Sequence, residues 1–313
     1  MISGWSFRDL WRRPRAAVTV TAAAASHVGR VRDHNEDYVL IVDLLADDAA
    51  AHPAEAERRM AETGCLFLVA DGMGGAAAGE VASEMAATVI FSHLAGRWRD
   101  RDARTPARVP HHLVDAIERA NREIHQYASG HPELEGMGTT ATAATVLDGR
   151  LYVGHVGDSR AYLVRGGVAR RITRDHSLTQ HLLDTGALTP EAAATSPQRN
   201  TLLRALGPSP DVAVDIAHER LQGGDVLVLC SDGLWSSVAE LEIGCIVNGE
   251  PHLTAACERL VALANERGGH DNVTVLVARF TVGGRVDEEA RRRGRVSRVL
   301  SPERSSPGRR SFL

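Results

Sequence analysis

The segment CLFLVADGMGG at residues 65–75 joins an apolar run to an aspartate and a cluster of glycines. Six consecutive apolar residues that end at a turn signal are typical of a strand buried on both faces. Asp71 stands where this strand would end, beside Gly72, which tolerates backbone angles that other residues avoid. The segment therefore predicts a core strand that carries a carboxylate to the edge of a sheet.

Two further aspartates occupy the same kind of position. Asp232 follows the strand-like run DVLVLC at 225–230 and precedes a glycine. Asp271 precedes Asn272 and the run NVTVLVARF. Asp-Gly and Asp-Asn pairs are ordinary turn signals, so one of them alone carries little weight. Three together, each tied to a strand, indicate carboxylates that converge on cations, and oxygen ligands without histidine or cysteine favour Mg²⁺ or Mn²⁺ over Zn²⁺.

A fourth acidic group lies in the stretch GRVRDHNED at 29–37. Glu36 and Asp37 follow Arg32 at short range, which on a plain surface would be an ion pair of little energetic weight. Beside a metal cluster, the guanidinium of Arg32 would instead be placed to hold a phosphate as a bidentate donor. These residues and the three aspartates together predict a site for metals and phosphate.

Apolar patterning along the chain separates strand-like runs from paired helical segments. We expect strands at 17–25, 38–45, 65–70, 139–147, 150–157, 160–165, 225–230 and 272–280, and helices at 79–93, 111–128, 238–248 and 251–267. Strand runs that bracket helical pairs fit a layered α+β or α/β/β/α architecture better than alternating βαβ units. The polar stretch 175–207 predicts turns and short helices.

Composition sets the outer limits of this architecture. The 313 residues predict one domain at 16–282, between an irregular arm at 1–15 and a basic tail at 283–313 that is expected to be disordered. All 36 basic side chains are arginine, which excludes a P-loop lysine, a lysine Schiff base and a kinase-type lysine. Four cysteines without a CxxC pair predict buried, reduced thiols rather than disulfides or a zinc site.

Charge and hydropathy also limit the partners of the chain. The net charge of −4 indicates neither nucleic acid nor a membrane surface as a partner. No run approaches the roughly 20 apolar residues that a membrane span needs, and the N-terminus makes a poor signal peptide because its apolar segment runs into a charged motif. We therefore expect a cytoplasmic protein, and a monomer.

Six motifs follow one another in a fixed order. They are RDHNED at 32–37, DGMGG at 71–75 with Gly79-Glu80, MGTT at 137–140, GDSR at 157–160, SDGLW at 231–235 and GHDNVTV at 269–275. Each is weak alone, but their order and spacing over about 29–280 are specific. Together they resemble the metal-dependent protein phosphatases of the 2C-like (PPM) family, in the form of its compact bacterial members.

The resemblance implies both a fold and an activity. The fold would be a four-layer α/β/β/α structure, in which a β-sandwich of two antiparallel sheets is flanked by helix pairs and the metals lie at one end. The activity would be hydrolysis of phosphoserine and phosphothreonine in proteins. Two divalent cations, Mn²⁺ or Mg²⁺, would activate a water or hydroxide for in-line attack on phosphorus. The partners would be phosphoprotein substrates, and a Ser/Thr kinase that the enzyme opposes.

The resemblance also implies roles for particular residues. Asp71 would bridge both cations, and the carbonyl of Gly72 would bind one of them. Asp232 and Asp271 would hold the other. Three more residues come from the first motif: Glu36 and Asp37, which would act directly or through metal-bound waters, and Arg32, which would bind the substrate phosphate.

Two parts of the site stay open at this point. Some relatives carry a histidine, with a proposed role as the leaving-group acid, two residues after the aspartate that matches Asp71. Met73 stands there in this chain, so the general acid is unassigned. Glu133 and Glu135 lie near the place where many relatives bind a third metal, and that site is also left open. Asp158 and Ser159 of the GDSR motif are expected to support the core.

Two other functions fit parts of the pattern. One is a catalytically silent module that binds phosphoproteins, which the presence of all three aspartates disfavours. The other is a phosphatase of the sporulation or sigma-factor type, which usually carries a sensor domain that has no room here. The stretch 175–207 matches the variable flap beside the active site of PPM enzymes and predicts control of substrate access.

Overall fold

The computed structural model describes residues 17–45, 57–61, 64–134, 136–194, 196, 198 and 201–283. The predicted arm at 1–15, the tail from 284 onward and Glu135 lie outside these ranges. No helix within them is both long enough and apolar enough to cross a bilayer.

The strands and helices that the apolar patterning predicts occur along the described chain in the predicted order. The strands are β1 (Ala17–His27), β2 (Asp37–Asp43), β3 (Arg58–Ala61), β4 (Cys65–Met73), β5 (Gly138–Thr139), β6 (Ala141–Leu147), β7 (Arg150–Val156), β8 (Arg160–Arg165), β9 (Val168–Arg171), β10 (Asp215–Arg220), β11 (Val226–Cys230) and β12 (Val273–Gly283). The helices are α1 (Ala76–Arg99), α2 (Val109–Gly130), α3 (Leu178–Asp184), α4 (Pro190–Ala194), α5 (Asp232–Trp235), α6 (Glu240–Gly249) and α7 (Leu253–Glu266).

The strands form two antiparallel sheets. One has the order β3-β1-β12-β11-β8-β9, and the other has the order β10-β7-β6-β4-β2 with the short β5 beside β4. Strands β1 and β12 pair along their whole length, from Ala17 opposite Gly283 to His27 opposite Val273. The first and last described strands are therefore neighbours inside one sheet.

Both faces of the central strands are buried, which explains why their sequences are nearly continuous apolar runs. In β4, Leu66 and Leu68 pack against α1 and α2, whereas Phe67 and Val69 pack between the two sheets. Helices α6 and α7 cover the outer face of the other sheet, over β8, β11 and β12. The predicted α/β/β/α sandwich is confirmed.

Some elements differ from the sequence predictions. Strands β9 and β10 (VARR and DIAHER) are edge strands of charged, partly exposed residues, so they lack the apolar run that identifies the central strands. Their pairing with β8 and β7 supplies the hydrogen bonds that define them. Helix α1 extends past the predicted 79–93 at both ends, and the buried Trp98 in its last turn anchors the extension.

The buried imidazole of His155 on β7 predicts part of the acid sensitivity of the fold. Its Nδ1 lies 2.9 Å from the hydroxyl of Thr142, and its ring centroid lies 4.9 Å from that of His176. Burial above all, and then His176, lowers the pKa of His155 to about 3, against weaker opposing effects of Asp175 and Asp215. The unfolded chain binds this proton near pH 6.5 and the folded chain does not, so the free energy of unfolding falls as the pH drops below that value.

We expect His155→Gln to reduce the loss of unfolding free energy between pH 7 and pH 5 by about 2 kcal/mol, because the amide takes up no proton. Urea denaturation at the two pH values measures the change. The exposed His111 provides a matched control, since His111→Gln should leave the pH dependence of the wild type intact. A pH dependence that is the same in all three proteins would contradict the role of His155.

Candidate active site

A cleft of about 340 Å³ opens at the end of the sandwich where β4 and β11 finish and β2 and β12 begin. Five carboxylates line it: Glu36, Asp71, Asp158, Asp232 and Asp271. The three aspartates that the sequence singled out are thus brought together from strand ends up to 200 positions apart. Arg32 is the basic side chain among the described residues that line the cleft.

Asp71 is held by the backbone around it at the end of β4. Its N–H donates to the hydroxyl of Thr140 at 2.9 Å, and its carbonyl accepts from the N–H of Thr140 at 2.8 Å. The next residue, Gly72, donates its N–H to the carbonyl of Glu36 at 3.1 Å. A Cβ at Gly72 would lie 2.2 Å from the carbonyl oxygen of Gly79 and 2.7 Å from that of Glu36, so a glycine is required for this close approach.

Asp37 lies behind the wall of the cleft. It pairs directly with Asp71 across β2 and β4, and its side chain is half-buried. One carboxylate oxygen accepts from the hydroxyl of Ser231 at 2.7 Å, and the other has no hydrogen-bond partner among the described residues. Ser231 is also the residue before Asp232, which opens the short helix α5. Asp37 is therefore linked to two of the aspartates, because it lies opposite Asp71 in the sheet and bonds to the residue before Asp232.

Asp271 is fixed by Arg32 and Asn272. One of its oxygens accepts from the guanidinium of Arg32 at 2.8 Å, and the other accepts from the N–H of Asn272 at 2.9 Å. The amide of Asn272 binds the 28–36 loop through three contacts: it donates to the carbonyls of Val28 and His34, and it accepts from the N–H of Glu36. Asn272 thus joins the loop that carries Arg32 and Glu36 to the start of β12.

The carboxylates destabilise one another in their charged form. Burial first, and then the neighbouring acids, raises the pKa of Asp71 and that of Asp232 well above the ordinary range. Burial raises the pKa of Asp158 to about 7 and that of Asp37 to about 6. A buried acidic cluster faced by one arginine calls for bound cations or for protons.

The chemistry of the donor set fits divalent cations of the Mg²⁺ and Mn²⁺ kind, because every candidate ligand is an oxygen. Among the described residues, no three acidic, histidine or cysteine side chains already surround a single point as a ligand set. Mg²⁺ usually keeps several waters and takes only one or two carboxylates, so the lack of such a set does not conflict with Mg²⁺. A row of carboxylates along an open cleft suits two hydrated ions.

The positions of several residues in the structure differ from the sequence predictions, and one residue has a role in the site that the sequence does not indicate. Asp158 lines the cleft, whereas its place in the GDSR motif predicts support of the core. Its signal was present, because it follows β7 at a Gly-Asp pair, as Asp232 follows β11. The sequence indicates Asn272 only as a turn residue, whereas its amide joins two parts of the site. Met73 lines the cleft, whereas Glu133 lies exposed on a single 3-10 turn and does not line it.

The predicted flap at 175–207 borders the cleft and is tied down near both ends. At its start, His176 donates its backbone N–H to the carbonyl of Gly157 at 2.7 Å. At its end, Leu206 exchanges two backbone hydrogen bonds with Thr139. Between these anchors, Leu202 places its side chain on the cleft wall. The flap is therefore positioned to contact whatever enters the cleft.

Comparisons with known proteins agree with this geometry. A family model described as Protein phosphatase 2C matches residues 40–275. The serine/threonine phosphatase stp of Listeria innocua is 38% identical over 250 residues, which cover 80% of this chain and 91% of that protein. The crystal structure of the Mycobacterium tuberculosis serine/threonine phosphatase PstP/Ppp matches with a TM-score of 0.69 and 37% identity, covering 83% of this chain and 98% of that one.

A further crystal structure contains metals. The catalytic domain of the serine threonine protein phosphatase PstP, solved in complex with two manganese ions, matches with a TM-score of 0.67 and 35% identity. The match covers 84% of this chain and 99% of that one. The residues that match the family model, 40–275, include Asp71, Asp232 and Asp271.

Proposed function

This chain belongs to the protein phosphatase 2C family and is a metal-dependent protein serine/threonine phosphatase, and from this premise we propose which of its residues carry the reaction. The observation that supports the proposal is the convergence of Asp71, Asp232 and Asp271 with Arg32 in one acidic cleft. Two divalent cations are its cofactors, by analogy with the manganese-bound PstP domain.

The aspartates would hold these cations. The charges of Asp37 and Asp232 both act on Asp71, which lines the cleft next to Gly72, so Asp71 and the carbonyl of Gly72 would hold the cations there. Asp232 and Asp271 would hold the second ion. Bound there, two divalent cations lower the pKa of a water that they share and neutralise charge on the phosphoryl oxygens.

The remaining acids would orient waters rather than touch the substrate. Glu36 lines the cleft, and burial raises the pKa of its carboxyl group. Asp37 is half-buried opposite Asp71 in the sheet, with one carboxylate oxygen committed to Ser231. Asp158 lines the cleft and its charge acts on Asp232, and its backbone carbonyl accepts from the indole of Trp235 at 2.9 Å. The third-metal site stays a prediction, with Asp158 better placed for it than Glu133.

Arg32 would bind the substrate phosphate. Its side chain is 53% exposed at the mouth of the cleft, while one guanidinium nitrogen bonds to Asp271. The other nitrogens remain available for a phosphoryl oxygen, and a planar guanidinium suits bidentate binding. The hydrogen bond from Arg32 to Asp271 would also set the distance between a bound phosphate and Asp271.

We expect Arg32→Ala to lower kcat/KM for a phosphopeptide on the order of 10²-fold, because a charge-assisted contact to the transferred group is lost. Arg32→Lys should recover only part of the loss, since an ammonium group cannot bind two oxygens in one plane. Arg30 is a matched control, because its exposed side chain does not line the cleft. Equal losses in Arg30→Ala and Arg32→Ala would argue against the assigned role.

The activity itself is tested with phosphopeptides that differ only in the phosphorylated residue. We expect turnover of phosphoserine and phosphothreonine peptides with Mn²⁺, much weaker turnover of the phosphotyrosine peptide, and loss of all turnover in EDTA. Asp232→Asn should abolish activity at saturating Mn²⁺. Activity that persists both in EDTA and in the Asp232→Asn variant would contradict the proposal.

The compartment, the kinase partner and the oligomeric state of this enzyme are further parts of the proposal. We infer a cytoplasmic phosphatase that opposes a Ser/Thr kinase, and a monomer remains the expected assembly. All four cysteines are free, which suits a reducing compartment. Coupled assays with a Ser/Thr kinase and its phosphorylated targets would test the partner directly.

A further inference from the structure

Helices α6 and α7 form a groove on the surface of the sandwich, outside the active-site cleft. The groove encloses about 510 Å³, and its walls come from α6 between Leu241 and Ile246 and from α7 between Arg259 and Glu266. Its apolar floor includes Leu241, which is 71% exposed, together with Ile246 and Leu263. Exposure of a large apolar side chain beside other apolar residues is typical of a surface that receives a partner.

The rim of this helix-pair groove is acidic. Two acids and one arginine line it: Glu242 pairs with Arg267, Arg259 pairs with Glu250, and Glu266 forms no salt bridge within the described ranges. Two further exposed acids without a salt bridge there lie next to lining residues in the sequence, Glu240 and Glu258. An apolar floor with unpaired acids around it fits a basic segment that also carries apolar side chains.

The chain itself contains such a segment. Residues 284–313 hold nine arginines and four acidic residues, a net charge of +5. Within them, RRRGRVSRVL at 291–300 places Val296, Val299 and Leu300 at the i, i+3 and i+4 spacing of side chains that anchor a helix in a groove. Arginines flank these anchors, and Pro302 follows them closely. Charge and spacing therefore both match the groove.

The groove lies within reach of the chain that follows β12. The guanidinium of Arg279 on β12 donates to the carbonyls of Val247, Glu250 and Pro251, at the turn between α6 and α7. β12 therefore runs beside the helix pair before it ends at Gly283. Helix α7 is about 21 Å long, and the seven residues from 284 to 290, ahead of the docking segment, can span roughly 23 Å.

We propose that residues 291–300 dock in the helix-pair groove of the same chain. Val296, Val299 and Leu300 contact Leu241 and its apolar neighbours, and the arginines face the unpaired glutamates. Tethering raises the local concentration of the segment to the order of 1 mM, so a weak contact is sufficient. This inference goes beyond the phosphatase activity and does not rest on it.

Cys245 provides the test, because it lines the groove and is exposed while the other three cysteines are buried. The measurement is the rate at which a maleimide modifies Cys245 in the full chain. With a docking Kd of about 0.2 mM, modification should be about sixfold slower than for an open groove. We expect the double variant Val299→Asp/Leu300→Asp to remove this protection, and 1 M NaCl to weaken it.

Phe312→Asp/Leu313→Asp is the matched control, since it adds the same two charges to the tail outside the proposed anchors. It should keep the slow rate of the wild type. Equal rates in all three proteins would overturn the proposal. Protection that disappears on dilution would also overturn it, because the occupant would then be the tail of a second copy. Turnover of a small phosphoester, followed in parallel, reports the phosphatase activity separately.

Discussion

Asp71→Asn is expected to lower kcat by at least about 10³-fold at any attainable Mn²⁺ concentration, because the residue proposed to hold the cations would no longer carry a charge that balances theirs. The amide keeps the size of the carboxylate, so the backbone hydrogen bonds of Asp71 with Thr140 should persist. Steady-state kinetics on a phosphopeptide, with Mn²⁺ varied over several decades, measures the loss.

Asp211→Asn provides the control for this substitution. It makes the same chemical change on an exposed carboxylate that does not line the cleft, and its kcat should match that of the wild type. An Asp71→Asn protein that regains wild-type kcat at high Mn²⁺ would show that Asp71 affects only metal affinity. The assignment of Asp71 to the reaction itself would then be wrong.

The second large effect concerns the stability of the metal-free chain. The cleft assembles buried carboxylates whose pKa values are raised by burial and by one another, so their charged forms oppose folding. Mn²⁺ at 100 times its Kd should add about 2.7 kcal/mol to the free energy of unfolding. For a domain of this size, that corresponds to a rise in Tm of roughly 5–10 °C.

Asp71→Asn should change this thermal response in two ways. In EDTA, its Tm should exceed that of the wild type, because one buried like charge has been removed. On addition of Mn²⁺, its Tm should rise much less. Differential scanning calorimetry of both proteins with EDTA and with Mn²⁺ gives all four values. If the Tm of the wild type does not change on addition of Mn²⁺, the proposal of a carboxylate metal centre is wrong.

The sequence was informative wherever one strong local signal coincided with a strand end. The apolar runs before Asp71 and Asp232 predict strands that are buried on both faces, and the structure contains those strands. Asp158 satisfies the same rule at the end of β7. Its motif also fits a second function, which is support of the core, and this hides its place in the cleft. The neighbouring Ser159 does support the core, through the contact of its hydroxyl with Thr140.

Other features depend on partners far away in the chain and give no local signal. Asn272 looks like a turn residue until the 28–36 loop is placed against it, when its amide is seen to make three contacts there. Strands β9 and β10 are defined by their neighbours, since charged, half-exposed sequences have no strand periodicity of their own. The position of Asp37 opposite Asp71 likewise follows from its pairing across the sheet.

The pairing of β1 with β12 has a consequence for how the enzyme is made. The ribosome delivers β1 first, but its principal neighbour is the last described strand, more than 240 residues later. Contacts so distant in sequence slow folding, because a long loop must close before they form. Asp271 emerges only just ahead of β12. We therefore expect a nascent chain to have no phosphatase activity until β12, which completes the sheet, has been synthesised.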